Sequence, residues 1–451
     1  MPLFGTRGAA SVTGFGGLAK LGYLLRNSLR FRRGNSSYLS RTMSSTSTTY
    51  TVSAWVKRGS LTGYHYIFAS GPNTASDDKG VAFDTTTNQI YVFNGSTQAL
   101  STAVFRDPAA WYHVVMSVNS GTATVYVNNV NTGISQSSMA LGTNGRIGRY
   151  NDSSSANDFD GYMAEFNLID GQALTPSSFG KTDAVTGQWI PIKFGGAYGT
   201  AGFYLPFTNT TSTSTLGNDF SGRGNNWTVN NISLTAGFTY DSMTDVPTLT
   251  SATASNYATI NPFDYNSTYL TLNDGNLHQT YAGVIAAAAS RATMAIPTTG
   301  KFYWEVYINA TGGGSGERVR VGICRQATAI SGNTIEGSAT SYLQLSNGQK
   351  RNNAPDSNYG SGFSAGQYIQ VLYDATAGAI YFGQNNSFAN GSGSFNQTFA
   401  TATAAFTSLS GEFMPCFITY GGADIYVNFG QQPFAYTPPS GFKALNTFNL
   451  P

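Results

Sequence analysis

The sequence predicts an all-β protein: two antiparallel β-sandwich (jelly-roll) domains joined by an irregular connector and preceded by a short N-terminal docking arm. Three observations carry that expectation. First, short runs such as YTVSAWVKRG, with Val52, Ala54 and Val56 on every second residue, recur between Gly/Asn/Ser turn clusters. Second, only 10% of residues are charged, against ~25% in ordinary soluble domains. Gly, Ser, Thr, Asn and aromatics take their place, residues that suit turns and pleated, half-buried surfaces. Third, no segment sustains an apolar period of 3.6 residues, so neither crossover helices nor a parallel sheet is expected. A length of 451 residues leaves room for two or three domains of ~100–200 residues each.

Taken in order, residues 1–27 read as an N-terminal basic docking arm. Val12, Phe15, Leu18, Leu21, Tyr23, Leu24 and Leu25 outline a short amphipathic helix, weakened by Gly14, Gly16, Gly17 and Gly22 and expected to order only against a partner. Up to Arg41 the chain carries seven basic residues and no acidic one, leaving 17 basic against 22 acidic residues beyond. Such an arm on a mildly acidic body suits docking to an acidic partner, through Arg26, Arg30, Arg32 and Arg33. It reads equally as a solvated tail.

Residues 28–172 hold the first strand rhythm. HYIFASG, GVAFDTT, QIYVFNGS, WYHVVMSV and ATVYVNNV follow one another at roughly 8 to 14 residues, the spacing of a sandwich. Residues 173–255 are less regular and read as a connector or small subdomain, although GFYLPF has the look of a buried strand packed onto a sandwich. The rhythm returns over 256–432 in KFYWEVYINA, RVRVGICRQ, QYIQVLYDA, GAIYFGQNN, FMPCFITY and DIYVNFG. Residues 433–451, PFAYTPPSGFKALNTFNLP, read as an irregular, extended C-terminal tail.

These residues carry two resemblances. LRFRRGNSSYLSRT, TVSAWVKRG, WYHVVMSVNSGTATVYVNNV and DFDGYMAEFNLIDGQALTPSSFG resemble, in order, the strands of a laminin-G/concanavalin-A-like lectin domain. In that family one strand bears the position of Trp55, a later one the run from Trp111 to Val115, and a closing strand follows Gly161. The resemblance implies a jelly roll of two antiparallel sheets. The second half is similar to a SPRY domain, through Gly300–Ile308, VRVGICRQ, GFSAGQYIQVLYDATAGAIYFGQNN and MPCFITYGGADIYVNFG. Gln367 stands where that family often has Asp. In tandem, with the GNDFSGRGNNWTVNN connector and the FAYTPPSGFKALNTFNLP ending, the two resemble virion-associated proteins of marine tailed phages. That resemblance implies a virion structural protein of tail fibre, spike or knob type with host cell-surface binding. It implies attachment to other virion proteins through the arm, a host glycan or protein as ligand, and a homotrimer. The alternatives are a capsid decoration or head-fibre protein, and a secreted carbohydrate-binding lectin or polysaccharide depolymerase.

The chemistry in the sequence points away from catalysis. Glycoside hydrolysis needs two carboxylates flanking one bond, ~5–10 Å apart. Glucan-cleaving relatives of the lectin-like fold are similar to one another in a strand of alternating Glu and Asp. The five glutamates here, Glu165, Glu305, Glu317, Glu336 and Glu412, have no second carboxylate two residues away. Three scattered histidines, His65, His113 and His278, do not spell a metal cluster, and His113 reads as a sheet residue. GGGSGER lacks the Gly-Lys-Ser/Thr of a phosphate loop and reads as a hairpin turn.

No cofactor is expected. Calcium is the metal to weigh: RYNDSSSANDFDG offers Asn151, Asp152, Asp158 and Asp160 as oxygen ligands. The same residues read as an Asx-rich surface loop. A glycan site is expected there too, with Tyr64 and Tyr66 as stacking surface. Cys324 and Cys416 sit in apolar runs and are expected as buried free thiols on neighbouring strands. No stretch approaches a transmembrane span, so membrane insertion is not expected. Nucleic acid is not expected either, because the arm lacks the interleaved aromatics of a base-stacking groove. The start of the chain lacks a continuous apolar signal core, which fits a virion protein assembled in the host cytoplasm and released by lysis.

Overall fold

A computed structural model describes residues 22–44, 46–72, 78–95, 97–150, 158–283, 287–313, 318–330, 335, 337–353 and 355–451. It is all-β, with 3-10 turns as the only helical pieces among these residues. Every named strand pairing but one is antiparallel.

The first sandwich packs an eight-stranded sheet against a seven-stranded one. The centre of the larger sheet is Tyr50–Arg58, with Tyr112–Asn119 on one side and Gly161–Asp170 on the other. The smaller sheet centres on His65–Gly71, between Asn144–Ile147 and Lys79–Phe83. Alternate residues of these strands, among them Val52, Ala54, Val114, Met116 and Phe68, fill one core between the sheets. The second sandwich is built likewise. A seven-stranded sheet, with Val319–Cys324 and Met414–Thr419 side by side, faces a larger sheet around Lys301–Thr311. Trp304, Val306, Ile308, Ile425 and Val427 fill its core.

Three expectations change. Residues 173–255, expected as a connector or small subdomain with GFYLPF packed onto a sandwich, join the first sandwich through more than that run. Phe203–Leu205, Thr228–Asn230 and Ser242–Met243 extend the two sheets of the first sandwich as added strands. Phe179, Phe194, Tyr198 and Tyr204 cover its outer face over Val115 and Ile169. The GFYLPF run was the readable part, because its apolar residues are contiguous; the others reach their strands singly. Residues 433–451 are irregular as expected, but they are packed rather than extended. Lys443–Ala444 pairs in parallel with Lys301–Thr311, and Leu445 is fully buried. The strands before and after GGGSGER, Lys301–Thr311 and Val319–Cys324, belong to different sheets and so do not pair as a hairpin; residues 314–317 lie outside those described.

The cysteines lie where the runs put them. Cys324 and Cys416 are free and buried on adjacent strands, Gly322 pairing with Cys416.

The two sandwiches meet across a buried polar joint. Lys57 Nζ, in the central strand of the first, donates to Asp245 Oδ2 at 2.7 Å, to Asn256 Oδ1 at 2.7 Å and to the Tyr257 carbonyl at 3.0 Å. Lys57 and Asp245 are both fully buried, and Trp111 Nε1 donates to the other Asp245 oxygen. Nearby, Tyr162 Oη donates to the Gly275 carbonyl, and the Gly275 N–H donates to Asp160 Oδ1. A Cβ at Gly59 would lie 2.8 Å from the Gly275 Cα, so the backbones of the two domains touch here and glycine is required.

Candidate binding surface

The residues singled out in the sequence divide into two groups. Asn151 and Asp152 lie outside the described residues. Asp158 and Asp160 are buried. Arg149 grips both oxygens of Asp158, at 2.7 and 2.5 Å. Asp160 accepts from Gly275 and its carboxyl is pushed up to about 6, chiefly by burial. These two aspartates thus serve the interior, with a guanidinium where a cation was expected, and not an open calcium rim. Among the described residues no three His, Cys, Asp or Glu side chains converge as a metal set.

Tyr64 and Tyr66 do share one aromatic cluster with Tyr91, Phe93 and Tyr150, on the outer face of the smaller sheet. Tyr66 is 6% exposed, with its ring against Tyr150 at 4.8 Å and its hydroxyl accepting from Tyr91, so it is packed rather than offered to a ligand. Tyr64 is half-buried.

The arginines of the expected docking set are mostly structural. Arg26 is exposed. Arg30 is fully buried; its Nε donates to Asp241 at 2.9 Å and its Nη2 to the Phe238 carbonyl at 2.8 Å. Arg32 binds the same aspartate through Nε and Nη2. Arg33 donates to the carbonyls of Asp158, Thr62 and Tyr64. LRFRR is the first strand and turn of the sandwich, and its cations balance interior acceptors. Tyr23, in the expected arm, docks on the chain itself, its hydroxyl 2.6 Å from that of Tyr204 and 3.2 Å from Glu165.

A surface that the sequence reading missed lies on the outer face of the larger sheet of the second sandwich. His278, Tyr426, Tyr307 and Tyr368 occupy one lateral row across four adjacent strands, since Tyr426 pairs with both His278 and Tyr307, and Tyr307 pairs with Tyr368. Strand alternation sends their neighbours Val306, Ile308, Ile425 and Val427 into the core and these rings outward. Phe238, from the loop held by Arg30, stacks on Tyr426 at 4.2 Å and on Tyr307 at 4.6 Å. His278 stacks on the far side of the row at 3.9 Å from Tyr426, and Tyr368 lies 4.8 Å from Tyr307. All five rings are half-buried.

Polar groups fix the row at both ends. His278 Nε2 is 2.7 Å from Asp424 Oδ1, and Asn309 donates to Asp424 Oδ2. Beneath the other end, Glu305 accepts from the Tyr303 hydroxyl at 2.7 Å and from the N–H groups of Ala435 and Tyr436. Burial raises the Glu305 carboxyl above the ordinary range, and these bonds draw it back. A shallow pocket opens between them, lined by Phe238, Tyr307, Tyr368, Tyr426, Glu305 and Gln432. The signal for the row was present: Tyr307, Tyr368 and Tyr426 are aromatic at outward positions of YWEVYI, QYIQVLY and DIYVNFG. Only the pairing of four strands distant in sequence turns them into one surface.

Comparison with known proteins bears on both halves. Residues 33–178 match the family described as the concanavalin A-like lectin/glucanases superfamily, and residues 301–432 match the SPRY domain. A lectin-like domain and a SPRY domain stand in tandem. The SPRY domain of human HERC1 is similar at 20% identity and a TM-score of 0.31, over 38% of this chain and 96% of that one. Domain 4 of AbnA, a GH43 extracellular arabinanase from Geobacillus stearothermophilus solved with arabinotriose, is similar at 23% identity and a TM-score of 0.26, over 30% of this chain and 67% of that one. No curated protein matches the chain significantly. Domains of these two kinds indicate a binding function.

Proposed function

We propose that this chain is a non-catalytic binding protein on the exterior of a bacteriophage particle, of tail fibre, spike or knob type, which engages the host cell surface through the second domain. The observation that carries the binding role is the aromatic row His278–Tyr426–Phe238–Tyr307–Tyr368. Five half-exposed rings in contact present apolar surface with polar rims, the chemistry that holds sugar rings or a partner's aliphatic side chains. The virion context rests on the tandem order and on the weakly charged, Thr/Asn/Ser-rich composition. The non-catalytic reading is supported by the two buried glutamates. Glu165 is taken up by Tyr204 and Tyr23, and Glu305 by Tyr303 and two backbone amides. A homotrimer attached to other virion proteins completes the proposal, with Arg26 as the exposed cation of the four arginines first assigned to docking.

Peptide mass spectrometry with copy-number determination on gradient-purified particles tests it. Co-sedimentation at fixed stoichiometry supports the virion role, and a copy number matching the capsid lattice would move the protein from tail to head decoration. Recovery only in the free lysate fraction overturns the particle assignment in favour of a released lectin.

A further inference from the structure

The joint between the sandwiches leaves a cleft at one edge, separate from the aromatic row. The loop after Tyr50–Arg58 contributes Ser60 and Thr62; the second sandwich contributes Tyr265, Ser267, Thr271 and Asn276. Its volume is about 300 Å³, at the lower end of the ~300–1,000 Å³ of small-molecule sites, which favour domain boundaries. None of its lining side chains carries a charge. Hydroxyls that both donate and accept alternate there with the apolar side chains of Leu61 and Leu272 and the Tyr265 ring.

Asn276 supplies the second observation. It is 1% exposed, and its Nδ2 donates across the domain boundary to the Gly59 carbonyl at 3.0 Å. That bond ties a lining residue of the second domain to the backbone of the first, beside Ser60, so the cleft exists only where both domains meet.

We propose that this cleft is a composite site for a neutral saccharide, formed by both domains together. A sugar matches the lining on each count: hydroxyls for Ser60, Thr62, Ser267 and Thr271, C–H faces for Tyr265 and the leucines, and no charge to match. The Gly59–Gly275 contact and the Lys57–Asp245 pair hold the two lips at fixed separation, so the site is assembled before the ligand arrives.

Saturation-transfer NMR on the full chain tests this, with maltose, lactose and cellobiose as neutral probes and glucuronic acid and glucosamine as charged ones. Thr62→Arg and Thr271→Arg block the two lips separately; both positions are exposed, and unchanged unfolding midpoints confirm that the variants fold. The expected result is saturable binding of at least one neutral disaccharide, weakened tenfold or more by each variant. Three outcomes overturn the proposal: no saturable neutral probe, a charged sugar bound equally well, or a loss confined to Thr271→Arg, which would place the site on one domain alone.

Discussion

The outer faces of the two sandwiches are treated differently by the same chain. On the first, residues 173–255 lie over the larger sheet, and Trp55, Trp111 and Tyr162 beneath them are all under 10% exposed. On the second, the corresponding face keeps a row of aromatic rings half-open, with Phe238 stacked on its middle and Tyr436 against one end. Both faces are aromatic in sequence, so composition does not separate them. Coverage does. The lectin-like domain uses its aromatics as packing surface for its own connector, while the SPRY-like domain leaves its aromatics accessible to something else.

The largest effect should come from breaking the seam that keeps the faces apart. Lys57→Met leaves Asp245 buried without its cation, and removing one partner of a buried pair costs about 3–5 kcal/mol. Urea denaturation followed by tryptophan fluorescence should show the wild type unfolding in one transition and the variant in two. A single, unshifted transition in the variant would mean that the domains do not depend on this pair.

Next in size is a pH effect confined to the covered face. Burial beneath Tyr23 and Tyr204 pushes the Glu165 carboxyl up to about 7. The folded chain therefore holds a proton that the unfolded chain releases near its ordinary value of ~4.3. Stability is fully present below the unfolded value and is lost as pH rises toward 7. Glu165→Gln mimics the protonated form. Its unfolding free energy should equal that of the wild type near pH 4 and exceed it by up to about 3 kcal/mol at pH 8. A difference that stays constant across this range would show that Glu165 ionises normally.

Much of this architecture could be read in the residues. Period-two runs fix strands wherever apolar residues repeat, as in YTVSAWVKRG and KFYWEVYINA, and both domains were legible for that reason. The thiols were legible because an apolar run leaves Cys324 and Cys416 only the core. The joint was not, because Lys57, Asp245, Asn256 and Gly275 become partners only when the sheets close. The arginines misled for a related reason. A basic stretch without acids looks like a solvated arm, but Arg30 and Arg32 find their counter-charge at Asp241, some two hundred residues along the chain. Asp158 of the candidate calcium loop is likewise answered inside the chain, by Arg149, whereas Asn151 and Asp152 lie outside the described residues.

A smaller expected effect sharpens the comparison on the open face. Phe238→Ala removes two stacking contacts, each worth about 0.5–1.5 kcal/mol beyond area burial, at a half-buried site. A loss of about 1–2 kcal/mol in chemical denaturation is therefore expected, with Arg30 and Asp241 still holding the loop. A loss as large as that for Lys57→Met would show that Phe238 belongs to the joint rather than to the surface.

The smallest change in stability should accompany the largest change in function. Tyr368 ends the row, touches Tyr307 on one side and Tyr436 at 6.0 Å on the other, and is half-buried. Tyr368→Ser should alter stability by less than about 1 kcal/mol, because it gives up a single close ring contact, with Tyr307, at a half-buried site. On the covered face, Tyr204→Ser should instead destabilise strongly, since Tyr204 is 6% exposed and donates to Glu165 at 2.8 Å. If the open row is the recognition surface, Tyr368→Ser lowers adsorption to host cells severalfold at unchanged stability. Tyr204→Ser lowers adsorption only in proportion to the folded protein that remains. Equal adsorption per folded molecule for both variants would remove the functional distinction between the two faces, leaving coverage as a feature of packing alone.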